Sequence, residues 1–242
     1  TAEFKTSTPK TGTLPSTKNV NKKTMKLDYK KGKKGKALYL KRNASFGAQL
    51  KGIKLGSSSW TVSFWVKPDS SISDFTAIFF TGNNIVNTKT TKWLSITAAS
   101  WIKDDNGNHN CPVVWSHNAA NGQFPWFAAY DTKDKKGTWI ADEAVKKGVW
   151  TYVTVAVNAK KTCEYGTKGK DGYVKSYDAW TYVNGKQYGH GTVAKGTMTN
   201  KNQFFLGINA WDVPFKGYID ELQLWNKALT AKQAKALYKK MK

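Results

Sequence analysis

Four glutamates occur in the chain: Glu3, Glu143, Glu164 and Glu221. Retaining glycoside hydrolysis needs two carboxyl groups about 5–5.5 Å apart. On a strand that calls for acids two or four places apart, on one face. None of the four has such a partner. Asp142-Glu143 and Asp220-Glu221 are sequence neighbours, and on a regular strand each pair points to opposite faces. No G-x-S-x-G elbow and no H-E-x-x-H helix is present. Lys and Tyr abound, and either can act as the base of a lyase. The expectation is nonetheless a protein without catalytic activity.

Metal chemistry has equally thin support. His109-x-Cys111 with His117 nearby lacks a further ligand at zinc-site spacing. The run Asp104-Asp105-Asn106-Gly107-Asn108 lacks the bidentate Glu that completes an EF-hand, so it reads as a solvated turn. Cys111 and Cys163 could form one disulfide in an oxidising compartment, but spacing alone does not give the geometry.

The elements that must position any site are mostly strands. Val62, Phe64 and Val66 alternate with polar or outward residues, as do Val153, Val155 and Val157. Further strands are expected at Met25–Tyr29, Ala77–Thr81, Trp93–Ala99, Pro112–Asn118, Pro125–Asp131, Tyr173–Asn184, Gln203–Ile208 and Phe215–Trp225. Asn184-Gly185 marks a type I′ hairpin turn. One helix closes the chain, with Thr230 and Gln233 forming a capping box and Ala231, Ala234, Leu237, Tyr238 and Met241 on its apolar face. The fold class expected is all-β: a two-sheet antiparallel β-sandwich (jelly roll) with one short C-terminal helix. Residues 1–24, rich in Thr, Ser and Lys, read as a linker or N-terminal arm, and 25–242 as a single domain.

Lys plus Arg is 39 against 16 Asp plus Glu, a formal charge of +23, and Arg42 is the one arginine. Such a charge attracts polyanions. Specific nucleic-acid binding is not expected, because Lys cannot reproduce bidentate guanidinium contacts and no zinc-finger, RNP or phosphate-loop motif occurs. No apolar run approaches the ~18 residues of a membrane span. No signal-peptide pattern is present, so any leader is expected to have been removed or to lie outside these residues.

Five stretches together resemble one family: Ala37-Leu38-Tyr39-Leu40, TVSFWVKP at Thr61–Pro68, WTYVTVAVN at Trp150–Asn158, YVNGKQYG at Tyr182–Gly189 and FKGYIDELQLWNKALTAKQAKALY at Phe215–Tyr238. In this order they are similar to a laminin G-like domain of the concanavalin A-like jelly-roll superfamily, from about Lys30 to the C-terminus. Ser70–Gly148 matches only in strand rhythm. The resemblance implies a lectin-like module of a larger secreted or cell-surface protein, bacterial in the commonest case, that binds polysaccharide. It also implies a structural calcium ion, with Asp220 the position that matches the calcium-linked acid. The rival reading of Asp220 is an acceptor of backbone hydrogen bonds.

A sugar offers an apolar C–H face to a flat aromatic ring and hydroxyls to polar side chains. Trp60, Trp65, Trp150 and Trp225 fall in or beside fold motifs and read as structural. If Leu94, Ile96 and Ala98 face the core, Trp93 faces outward. Trp115 and His117 share a face, as do Trp126 and Tyr130. The expected ligand site is therefore Trp93, Trp115, Trp126 and Tyr130, with His117 and Asn118 as polar partners. Excess lysine favours acidic polymers such as pectin over neutral glycans. The alternatives are an adhesion domain recognising protein or an anionic cell-wall polymer and, less favoured, a polysaccharide lyase.

Overall fold

The computed structural model describes residues 4–9, 20–21, 27–41, 47–55, 58–69, 72, 75–85, 89–104, 107–118, 145–165 and 174–242. The expected strand Pro125–Asp131 lies outside them, as do Trp126 and Tyr130.

The described residues form two antiparallel seven-stranded sheets and one helix. In chain order the strands are β1 (Phe4–Pro9), β2 (Val20–Asn21), β3 (Asp28–Lys31), β4 (Lys36–Leu40), β5 (Gly47–Leu50), β6 (Trp60–Pro68), β7 (Ala77–Gly82), β8 (Lys92–Asp104), β9 (Gly107–Asn118), β10 (Thr151–Tyr165), β11 (Val174–Val183), β12 (Lys186–Val193), β13 (Gln203–Leu206) and β14 (Gly217–Trp225), followed by α1 (Ala231–Met241). One sheet runs β2-β1-β5-β13-β7-β8-β9 and the other β12-β11-β10-β6-β14-β4-β3. The expected all-β sandwich with a terminal helix is what the chain forms.

Period-two alternation builds the core between the sheets. Val62, Phe64 and Val66 of β6 and Val153, Val155 and Val157 of β10 are fully buried there. From the facing sheet come Phe79, Leu94, Ile96, Val114, Phe204 and Leu206. β1 pairs with β5 and β2 pairs with β1, so part of the segment read as an arm adds strands to a sheet edge. β8 runs past the expected Ala99 because an irregularity between Thr97 and Ser100 restores its pairing with β9.

The outer face of the second sheet is covered by α1. Trp65 and Tyr152 are buried against Met241, and Tyr182 against Ala234. Thr230 accepts from Gln233 N while the Gln233 side chain accepts from Thr230 N, closing the expected capping box. Ala231, expected on the buried face, is exposed in the first turn. Asn184 (φ 50°) and Gly185 (φ 74°) make the left-handed pair that a type I′ turn requires. Asn184 also exchanges hydrogen bonds with the Tyr152 backbone: its N–H donates to the carbonyl (2.8 Å) and its Oδ1 accepts from the amide (2.9 Å).

The approach to the helix hangs on one hydroxyl. Thr61 Oγ1 donates to Lys227 O (2.7 Å) and accepts from Leu229 N (2.9 Å), and Thr61 is fully buried. Thr61→Val keeps the shape and strands the buried Leu229 amide together with the part-buried Lys227 carbonyl, so it costs about 2 kcal/mol. Thr230→Ala removes only a cap and costs about 1 kcal/mol. Urea unfolding of both variants checks the order; an equal or reversed ranking contradicts this account of the helix anchor.

Candidate functional site

The outer face of the other sheet carries a second aromatic cluster. Phe80, Ile85, Trp93, Phe205 and Ile208 are buried in it, and Trp115 and Trp211 pack partly buried against them. The register explains why: Trp93 lies opposite His117 and Ser95 opposite Trp115 on adjacent strands, and Phe80 opposite Phe205. Ring centroids stand 4.5 Å apart for Trp93–Trp211, 6.0 Å for Trp93–His117 and 6.2 Å for the edge-on pair Phe80–Trp211. Phe75, held at the left-handed φ of 58° that bulky residues seldom adopt, brings its ring to 5.9 Å from Trp115. Trp115, Trp211 and His117 are half-buried and form the upper tier; Trp93, only 5% exposed, lies beneath.

What places Trp211 there is the turn after β13. Gly207 has φ 79°, and a Cβ on it would overlap Leu40, so the chain can reverse out of the strand only with glycine at this position. Gly207 N donates to Ile78 O (2.7 Å), and Ala77 N donates to Val213 O (3.0 Å), which ties the returning chain to β7. Inside the turn, Asn209 is a buried hub. Its Oδ1 accepts from the amides of Trp211 (2.9 Å) and Asp212 (2.6 Å), an Asx-type arrangement. Its Nδ2 donates to Ser95 Oγ (3.0 Å) and to Asp212 Oδ2 (2.5 Å). Burial pushes the Asp212 carboxyl up to about 6, against the opposing pull of the Asn209 hydrogen bond. Burial likewise lowers the His117 imidazole below its ordinary value, favouring the neutral ring.

Of the expected ligand residues, the fold brings Trp93, Trp115 and His117 onto this one face. Trp93 is the bed rather than an exposed platform. Asn118 does not join them. It follows His117 in a strand, so it points to the opposite side, where it is buried and its Nδ2 donates to Lys195 O (2.7 Å). Asn209, Trp211 and Asp212 are the residues the sequence reading passed over. The Asn-x-Trp-Asp spacing after a strand and a glycine was their signal, that of an Asx turn.

Asp220 sits on β14 where the register shifts between Asp220 and Gln223, and Glu221 takes a left-handed φ of 49°. This bulge replaces the simple alternation expected for the Asp-Glu pair. Asp220 Oδ2 accepts from Lys34 N (3.0 Å) and Oδ1 from Glu221 N (2.9 Å). A Cβ on Gly32 would overlap Oδ2, so the β3–β4 turn closes directly onto the carboxylate. Calcium takes six to eight oxygen donors. Here both oxygens accept amide N–H, and among the described residues no three His, Cys, Asp or Glu gather. These contacts are those of the hydrogen-bonding reading of Asp220. Cys111 and Cys163 stand on strands of different sheets, and their side chains are not among those described.

Residues 42–235 match the family described as the concanavalin A-like lectin/glucanases superfamily. Comparison with curated proteins finds no match. Among solved structures the chain is similar to domain 4 of AbnA, a GH43 extracellular arabinanase from Geobacillus stearothermophilus, in complex with arabinotriose. That likeness has 24% identity and a TM-score of 0.64 over 98% of this chain and 87% of the other. A second similar structure is the NanB sialidase from Streptococcus pneumoniae, with 19% identity and a TM-score of 0.50 over 75% of this chain and 24% of the other. At these identities the likeness is one of fold.

Two outcomes test the electrostatics. A raised Asp212 pKa means that the folded state takes up a proton that the unfolded state, titrating near 3.9, still releases. Its contribution to stability is therefore full below about pH 4 and lost as pH rises through about 6. Denaturation midpoints of the wild type and Asp212→Asn should diverge with pH across that window by about 2 kcal/mol, after discounting for partial exposure. A pH-independent difference contradicts the desolvated carboxyl. For Asp220, neither calcium nor a chelator shifts the melting temperature, while Asp220→Ala costs about 2 kcal/mol. A calcium-induced rise that the variant lacks would return Asp220 to the metal reading.

Proposed function

The chain belongs to the concanavalin A-like lectin/glucanases superfamily, and we propose that it is a non-catalytic, carbohydrate-binding module. The observation that carries this reading is the two-tier aromatic face, with Trp115, Trp211 and His117 half-buried on a rigid bed of Trp93, Phe80 and Phe205. Indole faces stack on the C–H surface of a sugar ring and lose little conformational entropy, because the bed already fixes their rotamers. The His117 ring, kept neutral by burial, packs beside them against Trp93. The arabinotriose complex of AbnA domain 4, whose fold this chain shares, supports a polysaccharide ligand. The extracellular arabinanase in which that domain occurs supports a secreted setting, as one domain of a larger protein. No helix among the described residues is long and apolar enough to cross a membrane.

A second reading has its own observation. On the outer face of the other sheet, Lys30 lies over Tyr39 (3.7 Å) and Lys67 over both Tyr218 (4.3 Å) and Trp150 (5.2 Å). Ammonium groups so ordered favour adhesion to an anionic cell-wall polymer.

Affinity electrophoresis against neutral and acidic polysaccharides, at low and moderate salt, separates the two. Stacking on a neutral glycan hardly responds to salt, whereas lysine-driven retention falls. Trp115→Ala and Trp211→Ala should each weaken retention about tenfold while Lys67→Ala leaves it unchanged. No retardation by any glycan, or retardation insensitive to both tryptophans, would overturn the proposal.

A further inference from the structure

A cleft of about 690 Å³ opens at one end of the sandwich, among the stretch before β6, the β7–β8 connection and the turn between β12 and β13. Clefts of this volume hold small ligands. Leu55 and Met198, both almost fully buried, supply apolar surface to its lining. Amides and hydroxyls interrupt a wall surface that is otherwise mostly apolar, with Asn83, Asn200 and Asn202 foremost. Each asparagine is fixed by the backbone around it. Asn83 Oδ1 accepts from the amides of Thr91 (3.1 Å) and Lys92 (3.0 Å). Asn202 Nδ2 donates to Thr197 O (2.7 Å), and Asn200 Oδ1 accepts from Leu55 N. Lys92 and Lys201 complete the lining, and no Asp or Glu is among the described residues that form it.

Each part of that lining selects a feature of one ligand class. Apolar side chains suit a C–H face, and the side-chain N–H groups of Asn83 and Asn200 suit vicinal hydroxyls. Lys92 and Lys201, with no carboxylate among the described lining residues, suit a single negative charge. We propose that this cleft is a second binding site, taking a carboxylate-bearing sugar, a uronate residue of an acidic polysaccharide. The proposal rests on the carbohydrate reading above but uses a different surface. Lys92 and Trp93 are consecutive in β8, and only the former lines the cleft. A chain running from cleft to aromatic face would meet charge recognition at one end and stacking at the other.

The test is calorimetric titration of the full chain with a galacturonic acid trimer and with its fully methyl-esterified form. Variants are Lys201→Ala, Lys201→Glu and Trp115→Ala. Lys201 is exposed, so its replacement leaves the core intact. The acid form is expected to bind more tightly than the ester. Lys201→Ala should weaken it about tenfold and Lys201→Glu further, as for loss of a charge-assisted hydrogen bond. Trp115→Ala should keep the preference for acid over ester, because that ring stands on the other surface. Equal affinity for acid and ester, insensitivity to Lys201, or full competition by inorganic phosphate would overturn the uronate site. If a neutral glycan is retained through Trp115 while the trimer does not bind, the cleft proposal alone falls. If no glycan binds at all, the carbohydrate reading falls with it.

Discussion

Large aromatic side chains stand on both faces of both sheets, and water must be kept from all four faces. The two inner faces exclude it from one another. The outer faces need covers drawn from elsewhere in the chain. Burying one aromatic ring removes some 150–250 Å² from water, worth several kcal/mol at about 25 cal/mol/Å². The helix covers Trp65, Tyr152 and Tyr182 on one side, and the Gly207–Pro214 turn covers Phe80, Phe205 and Trp93 on the other. Each cover is then pinned by a buried polar residue, Thr61 for the helix and Asn209 for the turn. The candidate site is the rim of the second cover. Its upper tier is half-buried because a turn can shield a sheet less completely than a helix.

This division decides what could be read from the residues in order. Alternation identifies Leu94, Ile96 and Ala98 as the inner face of β8, and all three are in the core. It equally sets Trp93 outward, but alternation says nothing about whether an outer face is covered. The covering residue Asn209 lies 114 positions from the Ser95 it bonds. The same period of two argues against grouping His117 with Asn118, since neighbours in a strand cannot share a site on its surface. At Asp220 the local rule itself fails, because a bulge with a left-handed Glu221 replaces regular pairing. Family motifs from Ala37 to Tyr238 carry the architecture well. They do not carry the site, because the segment from Ser70 to Gly148, where most of the aromatic candidates lie, matches in rhythm alone.

The charge of +23 enters through lysine stems as much as through lysine charges. Lys33 lies 4.9 Å over Trp65 and Lys67 bridges Tyr218 and Trp150, so methylenes and ammonium groups finish the cover that the helix begins. An ammonium on an aromatic face is retained close to the surface without a carboxylate partner. That arrangement lets a basic chain stay compact with few ion pairs among the described residues, and it leaves cations oriented toward whatever approaches.

Several of the described carboxylates are engaged in another way. Asp28 pairs with Lys41 (3.1 Å), Asp69 accepts from the Tyr39 hydroxyl (2.6 Å), and Asp178 meets His190 (2.5 Å). The Asp69 contact pushes the Tyr39 phenol up to about 12, which withdraws it as a base. Asp212 is spent on the Asn209 hub and Asp220 on amides of the β3–β4 turn and the β14 bulge. A hydrolase needs two acids facing one bond with their protons free to move. Asp69, Asp178 and Asp220 each serve a different structural anchor, and Asp212 helps the Asn209 hub hold the turn that carries Trp211. On the proposed reading, the rings that this hub and its turn hold in place are what meets a glycan.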